Sequence, residues 1–530
     1  MPVLCDKPYN NEAYETHFGR FPYPLSDFQK YAIEAIVQGD HVLVTAHTGS
    51  GKTLPAEFAI QHFTEQGKKV IYTSPIKALS NQKYYEFQQK YPSISFGLFT
   101  GDIKTNPDAQ VLIMTTEILM NTLFRIDTNK KEGAHQETTG SLDFNIDIQN
   151  DLACVVFDEV HYINDKERGQ VWEKTILMLP EQIQMVMLSA TIDNPQGFAN
   201  WCESGRNGGS GKKKVYLAST NKRVVPLSHY GFLTVNEGIF KGIRDKALEQ
   251  QIREGTNVLI PLQSETGEIK EPGIHKMRKL IDIFENRKVF MKRQQVLNTL
   301  ALFLRDREML PAIAFVFSRK HVELCAKEIT IPLLEDDSKV GYTVRRECEQ
   351  VVRKLPNFKE YLALPEYNQV VNLLEKGIGI HHSGMLPVLR EIVELMISKK
   401  YVKLLFATES FAIGLDCPIK TAVFTSLTKY DGQSERHLMP HEYTQMAGRA
   451  GRRGLDTVGH VVHCNNLFRL PSVNEYRSIL SGKPQQLVSK FHINYSLILN
   501  LLKNGQMNDF HRFSERSMIQ EELVNSKKSL

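Results

Sequence analysis

No stretch of this sequence holds the ~18 consecutive apolar residues that a membrane-crossing helix needs, so a membrane-spanning role is set aside. Cysteine is scarce, at seven residues, an odd count with no CxxC pair. That excludes a disulfide frame and the four-ligand spacing of a zinc finger, and it fits free thiols in a reducing compartment. The opening residues MPVLCDKPYNNEAY have neither the basic segment nor the apolar core of a secretory signal. The expected location is therefore intracellular, nucleus or cytoplasm, with no membrane partner. Charge of one sign is also lacking: +5 over 530 residues permits a nucleic-acid partner through a local basic groove and does not demand one.

What is present is an ordinary globular composition, 42% hydrophobic and 24% charged, in a chain long enough for about three domains. Short apolar runs at His41–Thr45, Val70–Ser74, Val111–Thr115, Ala153–Phe157 and Met185–Leu188 alternate with helical patterns such as Leu54–Gln66 and Lys77–Tyr91. Strands apolar on both faces, joined by helices, predict a parallel α/β sheet. A second series, Ala312–Phe317, Gly377–His381, Val402–Ala407, Thr421–Thr425 and Gly459–His463, predicts another. The expected boundaries are 1–220, 221–480 with a helical linker region 236–310, and a helical tail 481–530 containing the pattern Ser496–Leu502. Polar residues 126–150 and Gly-rich residues 203–214 are expected to be loops.

After the first run comes Ala46-His47-Thr48-Gly49-Ser50-Gly51-Lys52-Thr53, then a helix. In such a loop, backbone N–H groups and a helix N-terminus cradle phosphates. Lys52 would reach the β/γ-phosphates and the Thr53 hydroxyl would ligate Mg²⁺. The general pattern has Gly where this chain has Ala46. The run Val155-Val156-Phe157 lifts Asp158 and Glu159 to the C-terminal edge of a sheet. There Asp158 would hold the metal and Glu159 would accept a proton from an attacking water. Far downstream, Gln445-Met446-Ala447-Gly448-Arg449-Ala450-Gly451-Arg452 offers two arginines three apart, which a helix would place on one face. Such arginines neutralise charge on a transferring phosphoryl group, and Gln445 would orient the water; fingers of this kind give about 10³–10⁵ in rate. Phosphates held by one domain and arginines supplied by the other would make a nucleoside triphosphate drive a cyclic motion.

Taken in order, these motifs resemble the superfamily 2 helicases, and among them the DExH-box RNA helicases of the superkiller, exosome-associated type, with the box Asp158-Glu159-Val160-His161. The resemblance covers roughly residues 20–515. It implies two tandem RecA-like domains followed by a partial winged-helix-like tail, with ATP and Mg²⁺ as cofactors. Phe21 would stack on adenine and Gln29 read its edge, while Thr48, Gly49, Ser50 and Gly51, with Gly414 and Asp416, would complete the nucleotide contacts. Tyr72–Gln82, with Ser74, Pro75 and Lys77, resembles a strand-binding motif; Thr115 and Thr116 resemble the next, and Ser189-Ala190-Thr191 the motif linking hydrolysis to strand binding. Ser318, His382 and Thr408 fall in similar motifs of the second domain, and Lys429–His441 in the position of a duplex-splitting hairpin.

The activity so implied is ATP-driven 3′-to-5′ translocation on single-stranded RNA with duplex unwinding, in RNA processing or decay, with exosome-type partners. A related DNA helicase is the alternative, since the ATP motifs cannot tell the two nucleic acids apart. An idle binding platform is a third, opposed by the presence of Lys52, Asp158, Glu159, Arg449 and Arg452 together. Residues 275–293, with seven Lys/Arg against two acidic residues, read as the solvated face of an amphipathic helix or as an accessory RNA contact.

Overall fold

A computed structural model describes residues 1–101, 103–132, 150–166, 168–204, 213–334, 338–412, 417–493, 495, 497–499 and 514–520. The chain divides into two compact units, one of Met1–Lys222 with Pro484–Leu530, the other of Arg223–Lys483. The described tail residues thus belong to the first unit rather than forming a body of their own.

In chain order the first unit contributes strands β1 (Val3–Leu4), β2 (His41–Thr45), β3 (Lys69–Ser74), β4 (Phe96–Phe99), β5 (Lys104–Thr105), β6 (Val111–Thr115), β7 (Leu152–Phe157), β8 (Gln184–Ser189), β9 (Ile192–Asp193) and β10 (Val215–Ser219). Among the described residues, all but β9 form one sheet in the order β1-β10-β2-β8-β7-β3-β6-β4-β5. Every pairing in it is parallel except β4 with β5. Alternate residues feed two separate cores: Leu43, Ile71, Leu112, Val155 and Met187 face one, and Val42, Val70, Val111, Val156 and Val186 face the other. Burial on both faces explains why these strands read as unbroken apolar runs.

The second unit contributes β11 (Leu227–Phe232), β12 (Leu259–Gln263), β13 (Ala312–Phe315), β14 (Ile378–His381), β15 (Leu404–Ala407), β16 (Thr421–Phe424), β17 (Thr428–Tyr430), β18 (Glu435–His437) and β19 (Gly459–Cys464). Its sheet runs β12-β11-β19-β16-β13-β15-β14, parallel except for β11 with β12. Strands β17 and β18 form an antiparallel hairpin. In the tail, β20 (Gln485–Gln486) pairs with β9.

Several expectations change. The region 236–310 holds β12 beside its helices Glu271–Asn286 and Arg293–Asp306, and the segment before it supplies β10 to one sheet and β11 to the other. Residues 126–132, expected as loop, continue the helix Thr116–Glu132. The helix Pro195–Ser204 takes the first residues of the expected loop 203–214, and residues 205–212 lie outside those described. In the tail, residues 497–499 are helical as expected, while Ser496 and 500–502 are not among the described residues.

Candidate nucleotide and nucleic-acid sites

Register brings the first unit's motifs to one edge. Thr45 pairs with Ser189, Thr73 with Phe157 and Ser74 with Thr115, so the segments after β2, β3, β6, β7 and β8 all leave the sheet together. In the phosphate loop, Gly49 and Gly51 take φ +80° and +86°. Nothing lies within 4 Å of a Cβ added at Gly49, so the left-handed backbone rather than crowding calls for glycine there. The Ser50 hydroxyl closes the turn on His47 O at 2.6 Å. Ala46 is fully buried and still bonded to the sheet, its N–H donating to Ser189 O at 3.1 Å. Its backbone needs no glycine, which accounts for the departure from the general pattern.

Asp158 and Glu159 emerge from β7 into a buried, charge-dense corner. The Asp158 N–H donates to Thr73 O at 3.0 Å, and its Oδ2 accepts the Tyr72 hydroxyl at 2.5 Å. Glu159 holds an αL backbone, φ 57° and ψ 47°, at a cost of about 1–2 kcal/mol for a residue other than glycine. Strain of this kind persists where the surroundings fix it, and here they do. Its Oε1 accepts from Lys52 Nζ at 3.1 Å, and its Oε2 lies 3.0 Å from His161 Nε2. His161 Nδ1 accepts the Ala190 N–H at 3.1 Å, so the ring's proton is on Nε2, the nitrogen nearer Glu159. The helicase-type triplet Ser189-Ala190-Thr191 is thereby wired to the acidic pair.

Burial, then the neighbouring Glu159 charge, push the Asp158 carboxyl up, against the pull of Lys52 and Lys83. Two adjacent carboxylates with too little positive charge form a donor set that a divalent cation would relieve, and Asp158 with the Thr53 hydroxyl fits Mg²⁺ in that respect. Among the described residues no cluster of three or more His, Cys, Asp or Glu is arranged for a metal.

The remaining predicted residues divide into exposed groups and builders. Gln29 is buried, accepting from Ser26 N and donating to Gly51 O, both at 3.0 Å. It therefore ties its segment to the phosphate loop. Phe21 is half-buried beside the exposed Tyr23. Ser74, expected to donate to a nucleic acid, is fully buried, its hydroxyl on Ser80 at 2.6 Å and on Ile76 O at 3.1 Å. Thr116 is buried likewise and donates to Ser74 O at 3.4 Å. Both build the turn, with Pro75 buried in it, and Lys77 is the side chain the turn exposes. Thr115 lies at the buried end of β6.

In the second unit, register aligns Phe315, Ala407 and His381, so Ser318, Thr408 and His382 also share an edge. Ser318 caps the helix Arg319–Glu328, accepting from His321 N. His382 is buried, its Nδ1 accepting from Gly384 N and its Nε2 3.1 Å from Glu323, so it shapes its loop instead of offering a free donor. Thr408 is half-buried with its hydroxyl 3.0 Å from Ser410. Gly414 and Asp416 lie outside the described residues.

Gln445 is on the helix Pro440–Ala447, but that helix stops before both arginines. Gly448 caps it, and Gly451 at φ +89° and Gly454 at +76° bend the segment beyond, so Arg449 and Arg452 stand in a glycine turn and not on a helical face. Arg449 is buried and anchored on Ala412 O through Nε at 2.9 Å. Arg452 forks onto Asp456 with two bonds of 2.9 Å, which hold that carboxyl below its ordinary range. The hairpin β17–β18 projects the exposed Tyr430, with Lys429 and Arg436 paired to Glu442 at its base. Sequence reasoning missed Tyr72 and the His161–Ala190 link, because no spacing rule signals a buried phenol or a tautomer.

A DEAD/DEAH box helicase family profile matches residues 26–198. The antiviral helicase SKI2 of Saccharomyces cerevisiae is 37% identical over 522 residues, 91% of this chain and 38% of that protein. Superkiller complex protein 2 of Homo sapiens is 39% identical over 487 residues, covering 90% and 36%. The ATP-dependent RNA helicase mtr4 of Schizosaccharomyces pombe is 36% identical over 490 residues, covering 91% and 40%. The chain thus spans roughly two fifths of the length of these curated relatives.

Proposed function

We propose that this chain is an ATP-dependent RNA helicase of the DEAD/DEAH box kind, in the superkiller-type DExH-box branch. The observation that carries this is convergence at one sheet edge: the phosphate loop with Lys52, the acidic pair Asp158–Glu159, the Ala190–His161 link and the turn exposing Lys77. In the reaction, water attacks the γ-phosphorus of ATP, its bond to the ADP oxygen breaks, and Glu159 takes the proton from the water. Lys52 leaves Glu159 for the phosphate oxygens. Magnesium, held by Asp158 and Thr53, would supply charge neutralisation there. Gln445 would orient the water, and Arg449 and Arg452 would offset charge on the departing phosphoryl group, with Gly414 and Asp416 assigned to the nucleotide by resemblance. His161 reports the state of Glu159 to Ala190.

Lys77, Ser318 and Thr408 are assigned to the RNA backbone, a sequence-independent mode of binding, with His382, Ser74 and Thr116 shaping the loops that present them. RNA is favoured over DNA because relatives of this chain carry RNA helicase names, and one is named an exosome RNA helicase. An exosome-type partner is proposed on the same ground, and an intracellular location with it. The test is unwinding of RNA and DNA duplexes carrying 3′ or 5′ overhangs, with ATP and magnesium. Unwinding of RNA from a 3′ overhang is expected. Equal action on DNA would remove the RNA preference, and a 5′ preference would reverse the polarity.

A further inference from the structure

Two consecutive residues of β3 hold Asp158 from two sides. The Tyr72 hydroxyl donates to its Oδ2 at 2.5 Å, and Thr73 O accepts its N–H at 3.0 Å. The Thr73 hydroxyl adds a bond to Val156 O at 2.9 Å, so β3 grips this part of β7 with side chains as well as backbone, while β8 pairs with its other edge. Tyr72 has no exposed surface and Asp158 almost none, so water cannot stand in for the phenol. A bond to a charged acceptor in such a place is among the stronger kinds. One residue further on, β3 becomes the turn in which the Ser74 hydroxyl grips Ser80 and Ile76 O and Lys77 is exposed. A displacement of that turn reaches Tyr72 through two peptide units of a hydrogen-bonded strand.

We propose that Tyr72 is a positioning residue for ATP hydrolysis, its hydroxyl fixing the Asp158 carboxylate and making that fixing responsive to RNA bound at the turn on the same strand. This rests on the helicase reading above. A merely structural Tyr72 would need only its ring, which packs edge-on against Phe87 with centroids 5.4 Å apart. Tyr72→Phe keeps that ring and deletes the hydroxyl.

In the full chain, affinity for a fluorescent ATP analogue is measured in magnesium and in EDTA, and ATP turnover with and without single-stranded RNA. For Tyr72→Phe, affinity in EDTA is expected to match wild type, while the gain on adding magnesium falls about 10-fold, as for other groups that orient a metal ligand. The ratio of RNA-stimulated to basal turnover is expected to fall by a similar factor. Phe87→Leu loosens the ring packing and leaves the hydroxyl, so it should lower the melting temperature and preserve both ratios. Unchanged ratios in Tyr72→Phe would overturn the proposal, as would the same losses in Phe87→Leu. If wild type shows no RNA-stimulated turnover, the helicase reading fails first and this one falls with it.

Discussion

At the residue scale, Glu159 is held by an αL backbone and the Lys52 ammonium, with the His161 ring 3.0 Å from its second oxygen. The backbone and the His161 ring keep the carboxylate in place when Lys52 turns to the phosphate. Glu159→Gln keeps the shape and removes the proton acceptor, so ATP turnover should fall by about 10²–10⁴ while nucleotide binding remains. Steady-state turnover and fluorescent-nucleotide titration check the two halves; undiminished turnover would remove Glu159 from the chemistry. Tyr443 shows the same logic in a structural setting. Its hydroxyl bridges His229 Nδ1 at 2.6 Å and His463 Nε2 at 2.7 Å, all three fully enclosed beneath the helix that carries Gln445. Burial pushes His229 down to about 3, so both imidazoles stay neutral and need the phenol. Tyr443→Phe strands two buried nitrogens and should cost about 2 kcal/mol or more in urea unfolding of the second unit. Residue type alone could not sort such roles: the serine at 74 is as good a turn-builder as a phosphate donor, and only its burial decides.

At the scale of elements, the apolar runs announced the central strands closely. β2 and β6 have the bounds that the pattern predicts, because strands covered on both faces admit almost nothing but apolar side chains. β11 escaped because Ser228 and His229 interrupt its run; the Tyr443 hydroxyl satisfies His229, and sequence does not show such neighbours. The arginine turn escaped because spacing of three looks helical until Gly451 is recognised as a left-handed position, where a Cβ would meet Val225 Cγ1 at 2.5 Å. The hairpin β17–β18 was legible only by resemblance, and its fixing depends on Glu442. Burial alone would raise that carboxyl, but Arg436, Lys429 and the Met439 N–H together hold it at about 2. A depressed carboxylate stabilises above its unfolded pKa and loses that contribution as pH falls through the folded one. The hairpin's base should therefore loosen between about pH 4.5 and 2, and not above. At neutral pH, Glu442→Gln should weaken the grip on Lys429 and Arg436, reducing unwinding more than RNA-stimulated ATP turnover. Equal loss of both would mean that the pair serves the motor rather than the hairpin.

At the scale of the whole molecule, the chain leaves the first unit at Lys222, builds the second, and returns to the first at Pro484. The return is fastened by polar groups near the acidic box. Asn164, on the turn that follows it, donates to Gln486 O at 2.7 Å and accepts Val488 N at 2.8 Å. Glu173, fully buried, accepts the Ser489 hydroxyl at 2.8 Å and the Met518 N–H at 2.6 Å, and Trp201 Nε1 donates to Arg516 O at 2.9 Å. Phe491 and Leu497 pack with Phe124, and Met518 enters the first unit's core. Every one of these partners lies in the first unit. Glu173→Ala removes two bonds to a charged acceptor, each worth about 1.5–3 kcal/mol. Amide exchange should accelerate along residues 484–493 and in the helix Gly169–Met178, and leave the strands of the second sheet as protected as before. Faster exchange throughout the second sheet would show that the two units unfold as one, and that the returning segment secures more than the body it rests on.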